Sequence, residues 1–195
     1  MYTIKNNTTN TYTINNSKFI TYMYKIDNIE KVNNYMNEIK KLHPHASHYT
    51  YAYIIDNIIK YSDDKEPTNT AGKPIKEVLL KNKLNNILCI VVRYFGGIKL
   101  GVGGLTRAYV KSVTTTLDIT PLVKLEQAKY LIITFKYEYL KYIDSLLQEE
   151  LIKEKYFTNQ ITYHVIIKNT NLINKIKNIK DITIEEEKNT YIDSL

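Results

Sequence analysis

All six glycines of this 195-residue chain fall between positions 72 and 104: Gly72, Gly96, Gly97, Gly101, Gly103 and Gly104. Glycine is required where φ is positive or where another group must approach the main chain closely. A chain that uses none elsewhere concentrates its special backbone in one window, which is the expected working part. Both arginines, Arg93 and Arg107, lie in the same window. The arginines carry more weight than the lysines. The sequence is crowded with Lys, Asn, Ile and Tyr and has no Trp, a bias that AT-rich coding produces without selection for binding. Residues 1–127 hold 17 Lys and Arg against 10 Asp and Glu, whereas 128–195 hold 10 against 10, so the whole net charge of +7 resides in the first part. A basic excess points to an acidic partner, most often nucleic acid, and says nothing of fold.

Around that window the periodicity gives two domains, 1–127 and 128–195. In the first, Tyr12 to Ile14 and Lys18 to Lys25 alternate as strands. Ile29, Val32, Tyr35, Met36 and Ile39 recur at helical spacing up to Pro44. His48 to Ile59 reads as one or two strands, and residues 62–70 as a polar loop. A short helix opens near Pro74, burying Ile75, Val78 and Leu79. Residues 86–95 form a nearly continuous apolar strand, which must be central. The loop Gly96 to Gly103 then leads into a helix from about Gly104 to Leu117, and Pro121 marks the way out. From Ala128 the order is strand (128–136), helix (138–149), strand (151–157), strand (160–168), helix (170–179) and strand (181–188). This βαββαβ order is that of a ferredoxin-like plait, so the fold class is α+β.

No apolar run approaches the roughly 18 residues of a membrane span, and the N-terminus lacks the zones of a signal peptide. A soluble, cytoplasmic protein with no membrane partner is expected. The single cysteine, Cys89, lies inside the apolar run Ile87 to Val92 and is read as a buried small residue.

Two blocks then stand out: Ser62-Asp63-Asp64-Lys65-Glu66-Pro67-Thr68-Asn69-Thr70-Ala71-Gly72-Lys73-Pro74-Ile75, and Arg93-Tyr94-Phe95-Gly96-Gly97-Ile98-Lys99-Leu100-Gly101-Val102-Gly103-Gly104-Leu105-Thr106-Arg107-Ala108-Tyr109. Together they closely resemble the signature of the YigZ/IMPACT family, and His48-Tyr49-Thr50-Tyr51-Ala52-Tyr53 resembles a third block. The resemblance implies a first domain folded like the second domain of ribosomal protein S5 and a second domain like domain V of elongation factor G. It also implies a link to translation, since the eukaryotic IMPACT relatives are cytoplasmic translational regulators. Those relatives carry an additional N-terminal domain that is not expected here, so their mechanism does not carry over. Lys65 and Asn69 stand where the family usually shows glycine, and the loop is expected to keep its left-handed backbone with more strain. Thr50 stands where it often shows cysteine, which weakens any thiol chemistry.

The candidate phosphate or nucleic-acid contacts are Lys73, Arg93, Gly96, Gly97, Lys99, Gly101, Gly103, Gly104 and Arg107. Free main-chain N–H groups and the dipole at a helix start favour an anion, and Lys99 and Arg107 stand ready to pair with it. The spacing is neither a Walker loop nor a strict GxGxxG. The competing reading is that the glycines only allow helix and strand to pack closely. Asp63, Asp64, Glu66, Thr70 and Gly72 form the motif loop. Its carboxylates are enough in principle for Mg²⁺, but the expected role is structural, with Asp63 or Asp64 accepting backbone N–H bonds in the turn or pairing with Arg93 or Arg107. Tyr94 and Tyr109 are candidate stacking residues for bases. His43, His45 and His48 lack the companions of a zinc site, and no metal, cofactor or catalytic residue is assigned.

Three functions follow, in this order. The first is a non-enzymatic, translation-related regulator that binds RNA or the ribosome through the basic glycine-rich loop. The second is a Mg²⁺-dependent enzyme acting on a nucleotide or phosphorylated small molecule. The third is a protein-interaction adaptor.

Overall fold

The structure, a computed structural model, describes residues 1–56 and 58–194. The chain divides into two compact units, Met1–Lys124 and Leu125–Leu195. The division falls within one strand rather than in a linker.

In the first unit a five-stranded antiparallel sheet runs in the order β2-β3-β6-β4-β5, built from β2 (Thr8–Ile14), β3 (Ser17–Lys25), β4 (His48–Ile55), β5 (Ile58–Ser62) and β6 (Ile87–Tyr94). β6 is the central strand, as its apolar run requires, because both its faces are covered. Leu88, Ile90 and Val92 enter a cluster with Val32 and Ile39 of α1 (Ile29–Leu42). Ile87, Cys89 and Val91 enter the opposite cluster, with Ile75 and Leu79 of α2 (Gly72–Lys81) and Leu105, Ala108, Tyr109 and Val113 of α3 (Gly101–Leu117). Side chains alternate across a strand, so a run with no polar gap needs a helix on each side. Cys89 is fully buried, and burial pushes its thiol well above the ordinary range.

α1 has a conventional start and stop. Asn28 accepts from the Lys31 amide at 2.9 Å, Glu30 lies in the first turn, and Lys40 and Lys41 lie in the last, each placed to favour the helix dipole. In this unit the structure departs from the sequence expectation at its first strand and at the start of α3. A three-residue strand, β1 (Tyr2–Ile4), pairs with Leu122–Lys124 at the start of β7 (Leu122–Phe135); so short a strand carries no periodicity. And α3 starts at Gly101 rather than about Gly104. Gly97 and Gly101 adopt φ of +84° and +68°, which completes the turn out of β6 three residues sooner and places Gly103 and Gly104 inside the first helical turn.

The second unit contains the rest of β7, a 3-10 turn (Tyr137–Tyr139), α4 (Leu140–Leu146), β8 (Leu151–Phe157), β9 (Ile161–Ile167), α5 (Thr170–Lys177) and β10 (Thr183–Asp193). Its strands are antiparallel in the order β10-β7-β9-β8. Leu131, Ile133 and Phe135 of β7 and Ile161, Tyr163, Val165 and Ile167 of β9 bury one face of the sheet with Ile143 of α4 and Ile173 and Ile176 of α5. α4 is shorter than the expected 138–149, and β10 runs five residues beyond 188. Among the described residues no helix is long and apolar enough to cross a membrane.

Candidate functional site

The motif loop between β5 and α2 is organised by its acids. Asp63 accepts from the amides of Asn69 (2.9 Å), Ala71 (3.0 Å) and Gly72 (2.8 Å), so it folds the loop and satisfies the first N–H groups of α2 together. Asp64 accepts from the Tyr49 amide at 2.6 Å, and its carbonyl oxygen accepts from His48 Nδ1 at 2.8 Å. Thr70 donates its hydroxyl to the Pro67 carbonyl at 2.6 Å. Asp64, Lys65 and Asn69 all have positive φ, 40°, 69° and 63°. Lys65 and Asn69 therefore hold the left-handed backbone that their positions demand. Gly72 is needed for space: a Cβ there would meet the Ser62 carbonyl oxygen at 2.5 Å.

Glu66 turns inward. Its Oε1 accepts from Arg93 Nη1 at 2.7 Å and from the Tyr109 hydroxyl at 2.8 Å, with the Glu66 and Arg93 side chains only 3% and 7% exposed. His48 Nε2 lies 3.8 Å from Glu66 Oε2. Desolvation first, and then the adjacent carboxylate, push the Tyr109 phenol well above its usual range. Tyr109 also packs edge-on against Phe19, with ring centroids 5.1 Å apart. Of the two roles expected for Asp63 and Asp64, both take the first and accept main-chain N–H groups; the acid that pairs with Arg93 is Glu66, for which no such pairing was expected. All three motif carboxylates are engaged, and among the described residues no group of three or more His, Cys, Asp or Glu is placed to hold a metal ion.

Two of the sequence-based assignments are corrected by burial. Tyr109 is 0% exposed and has no face to offer a base; position 109 of α3 points at the sheet. Arg93 is not at the surface, because it extends from the central strand into the core against Glu66. Tyr94 is half-buried at the end of α1, where its hydroxyl bonds His43 Nδ1 at 2.9 Å while His43 Nε2 bonds Tyr22 at 2.7 Å. Burial foremost, with Lys18 adding to it, holds the His43 pKa below its ordinary value.

At the surface remains the loop from Phe95 to Leu100 and the first turns of α3. Gly96 packs against the β2–β3 turn, where a Cβ would fall 2.0 Å from the Asn16 carbonyl carbon. Gly97 and Gly101 face open space, Gly103 lies under Arg107 with the Nη1 atom 3.3 Å from where a Cβ would be, and at Gly104 the Leu100 Cβ is the near neighbour. No side chain caps the first amides of α3, and no acid lies in its first turn. Lys99 and Arg107 are exposed, and neither has a carboxylate partner among the described residues. Lys73, half-buried on α2, has none either. The aromatic this loop exposes is Phe95, 48% accessible, with Ile98 (49%) and Val102 (66%) beside it in sequence. Sequence reasoning passed over Phe95; the available signal was its position between the end of the strand and a Gly-Gly pair.

Comparison with known proteins bears on the same segment. A family model described as the Impact N-terminal domain matches residues 15–117. The chain is 35% identical over 171 residues to the IMPACT family member YvyE of Bacillus subtilis, covering 85% of this chain and 79% of that protein. It is 36% identical over 122 residues to the IMPACT family member YigZ of Escherichia coli, covering 57% of this chain and 60% of that one. A solved structure, described as the crystal structure of a hypothetical protein, superposes with a TM-score of 0.74 at 27% identity and covers 95% of this chain and 98% of its own.

Proposed function

The chain belongs to the IMPACT family, and from that premise we propose that it is a non-enzymatic, translation-related regulator that binds RNA or the ribosome through the basic loop leading into α3. The observation that carries this reading is the pair of exposed cations, Lys99 and Arg107, at a helix start without a capping side chain. Helix dipole, unsatisfied amides and two cations without a carboxylate partner all favour an anion at one place. The fold reading supports it by analogy alone: we take the first unit as S5 domain 2-like, and the second, with strand order β10-β7-β9-β8, as a ferredoxin-like plait of the elongation factor G domain V kind. A cytoplasmic location follows from the same reading.

Of the two alternatives, the Mg²⁺-dependent enzyme is the less favoured, since Asp63, Asp64 and Glu66 are committed to main-chain amides and to Arg93. The adaptor reading draws on Ile98 and Val102, apolar and exposed at the same loop.

The test is equilibrium binding of the purified protein to total RNA and to ribosomes at low and moderate salt, beside a Lys99→Glu/Arg107→Glu variant. Binding by the wild type should weaken with salt, and the double reversal should lower affinity and flatten the log–log salt slope by about two contacts. A variant that binds with unchanged affinity and slope would remove the site from this loop, and a wild type that binds neither RNA nor ribosomes would leave the adaptor.

A further inference from the structure

Phe95 is the first residue beyond β6, and its position is held from several directions. Its amide donates to Ser47 Oγ at 3.1 Å, and the next amide, of Gly96, donates to Ser17 Oγ at 3.1 Å. The Arg93 guanidinium carbon lies 5.5 Å from the Phe95 ring centroid and 5.4 Å from that of Phe19. That guanidinium is itself pinned by Glu66, and its Nε is buried without a hydrogen-bond partner among the described residues. A ring anchored at its own main chain, attended by a fixed cation and still about half open to solvent, is preorganised to accept a second flat group.

The surroundings identify the charge of that group. From Val78 to Leu117 the chain has no acidic residue, so nothing in this stretch repels an anion. Lys99 follows Phe95 by four positions, and Arg107 lies over Gly103 in the first turn of α3. A flat group with negative charge on its flanks is a nucleotide base within its phosphate backbone. A duplex stacks its bases on one another and shows a protein only their edges, whereas an unpaired base can lay its face on an aromatic ring.

We infer that Phe95 is the base-stacking residue of this loop and that the ligand is a single-stranded RNA segment whose neighbouring phosphates meet Lys99 and Arg107. The inference rests on the RNA reading above and narrows it to unpaired RNA.

The experiment measures binding of the full chain to a short labelled oligouridylate and to an RNA duplex of equal length, for the wild type, Phe95→Ala and Phe95→Leu. The wild type should prefer the single strand. Phe95→Ala should lose on the order of tenfold in affinity for it with the salt slope retained, because the phosphate contacts are intact. Phe95→Leu, which keeps apolar bulk without a π face, should lose nearly as much. Equal binding of strand and duplex, full affinity in Phe95→Ala, or full affinity in Phe95→Leu would each overturn the assignment while leaving RNA binding in place. A wild type that binds neither RNA would overturn this inference, and the reading beneath it would then stand or fall on the binding to total RNA and ribosomes described above.

Discussion

In the first unit 17 Lys and Arg face 9 Asp and Glu, an excess of eight cations; in the second 10 face 11, an excess of one acid; together they account for the net +7. The units also differ in what they do with their charges. In the second, Lys129, Lys136, Lys155, Lys168 and Lys177 each meet a carboxylate at the surface. The first also pairs Lys31 with Asp27 at its surface, but it buries the pair Arg93–Glu66 and leaves Lys99 and Arg107 exposed without a carboxylate partner among the described residues. Paired surface lysines add little to stability and little to a partner's attraction, whereas cations without a carboxylate partner attract, and a buried pair holds the elements around it in register. Net charge therefore points to the first unit, and pairing is what separates the proposed contact residues from the scaffold.

The sharpest way to break this contrast is at Glu66. Glu66→Gln leaves Arg93 buried without a counter-charge and weakens the acceptor for Tyr109. We expect a loss of about 3–5 kcal/mol, read in urea unfolding as a lower midpoint with an unchanged slope. A loss below about 1 kcal/mol would mean that the buried pair behaves as a surface pair does, and the distinction between the units would fail.

A smaller effect is expected from His43, which sits between two tyrosine hydroxyls rather than beside an acid. Its folded pKa lies below the unfolded one, so the unfolded chain binds the proton more readily. Stability should be constant at neutral pH and fall as the pH drops through about 6.5, the unfolded value. In the variant His43→Gln that step should vanish from a pH series of melting temperatures. A step that persists unchanged would assign it to another group.

Much of this was legible in the sequence. The apolar run of β6 demanded a strand covered on both faces, and the clustering of all six glycines marked the loop that the exposed cations occupy. The left-handed backbone at Lys65 and Asn69 was foreseeable from the motif alone. Other features were not, each for a physical reason. Period-two alternation cannot tell which of two covered faces a side chain such as Arg93 enters, so an arginine in a basic motif read as a phosphate contact. Tyr109 was hidden in the same way, because one helical turn decides between core and surface, and the true start of α3 lay three residues earlier than expected. Phe95 was overlooked because its exposure depends on β6 ending at Tyr94, a boundary set by pairing with Lys18 of β3 rather than by residue type.

The smallest expected effect tests the other side of the comparison. Lys155 Nζ lies 2.9 Å from Asp144 Oδ1, with side chains 36% and 43% exposed, and the Tyr163 hydroxyl donates to the same oxygen. The bond from Lys155 holds the Asp144 pKa below its ordinary value, with Tyr163 assisting. Because the folded pKa is the lower one, the pair stabilises above the unfolded carboxylate's pKa of about 3.9 and loses its contribution as pH falls through the folded value. Asp144→Asn should therefore cost about 0.2–1 kcal/mol at pH 7 and nearly the same at pH 5, with the difference from wild type disappearing only in strong acid. Added salt should shrink the difference at neutral pH, since a half-exposed pair is screened. A penalty that approached the one at Glu66, or that resisted salt, would show the second unit to depend on its ion pairs as the first does, and the division of labour between open and closed charge would have to be redrawn.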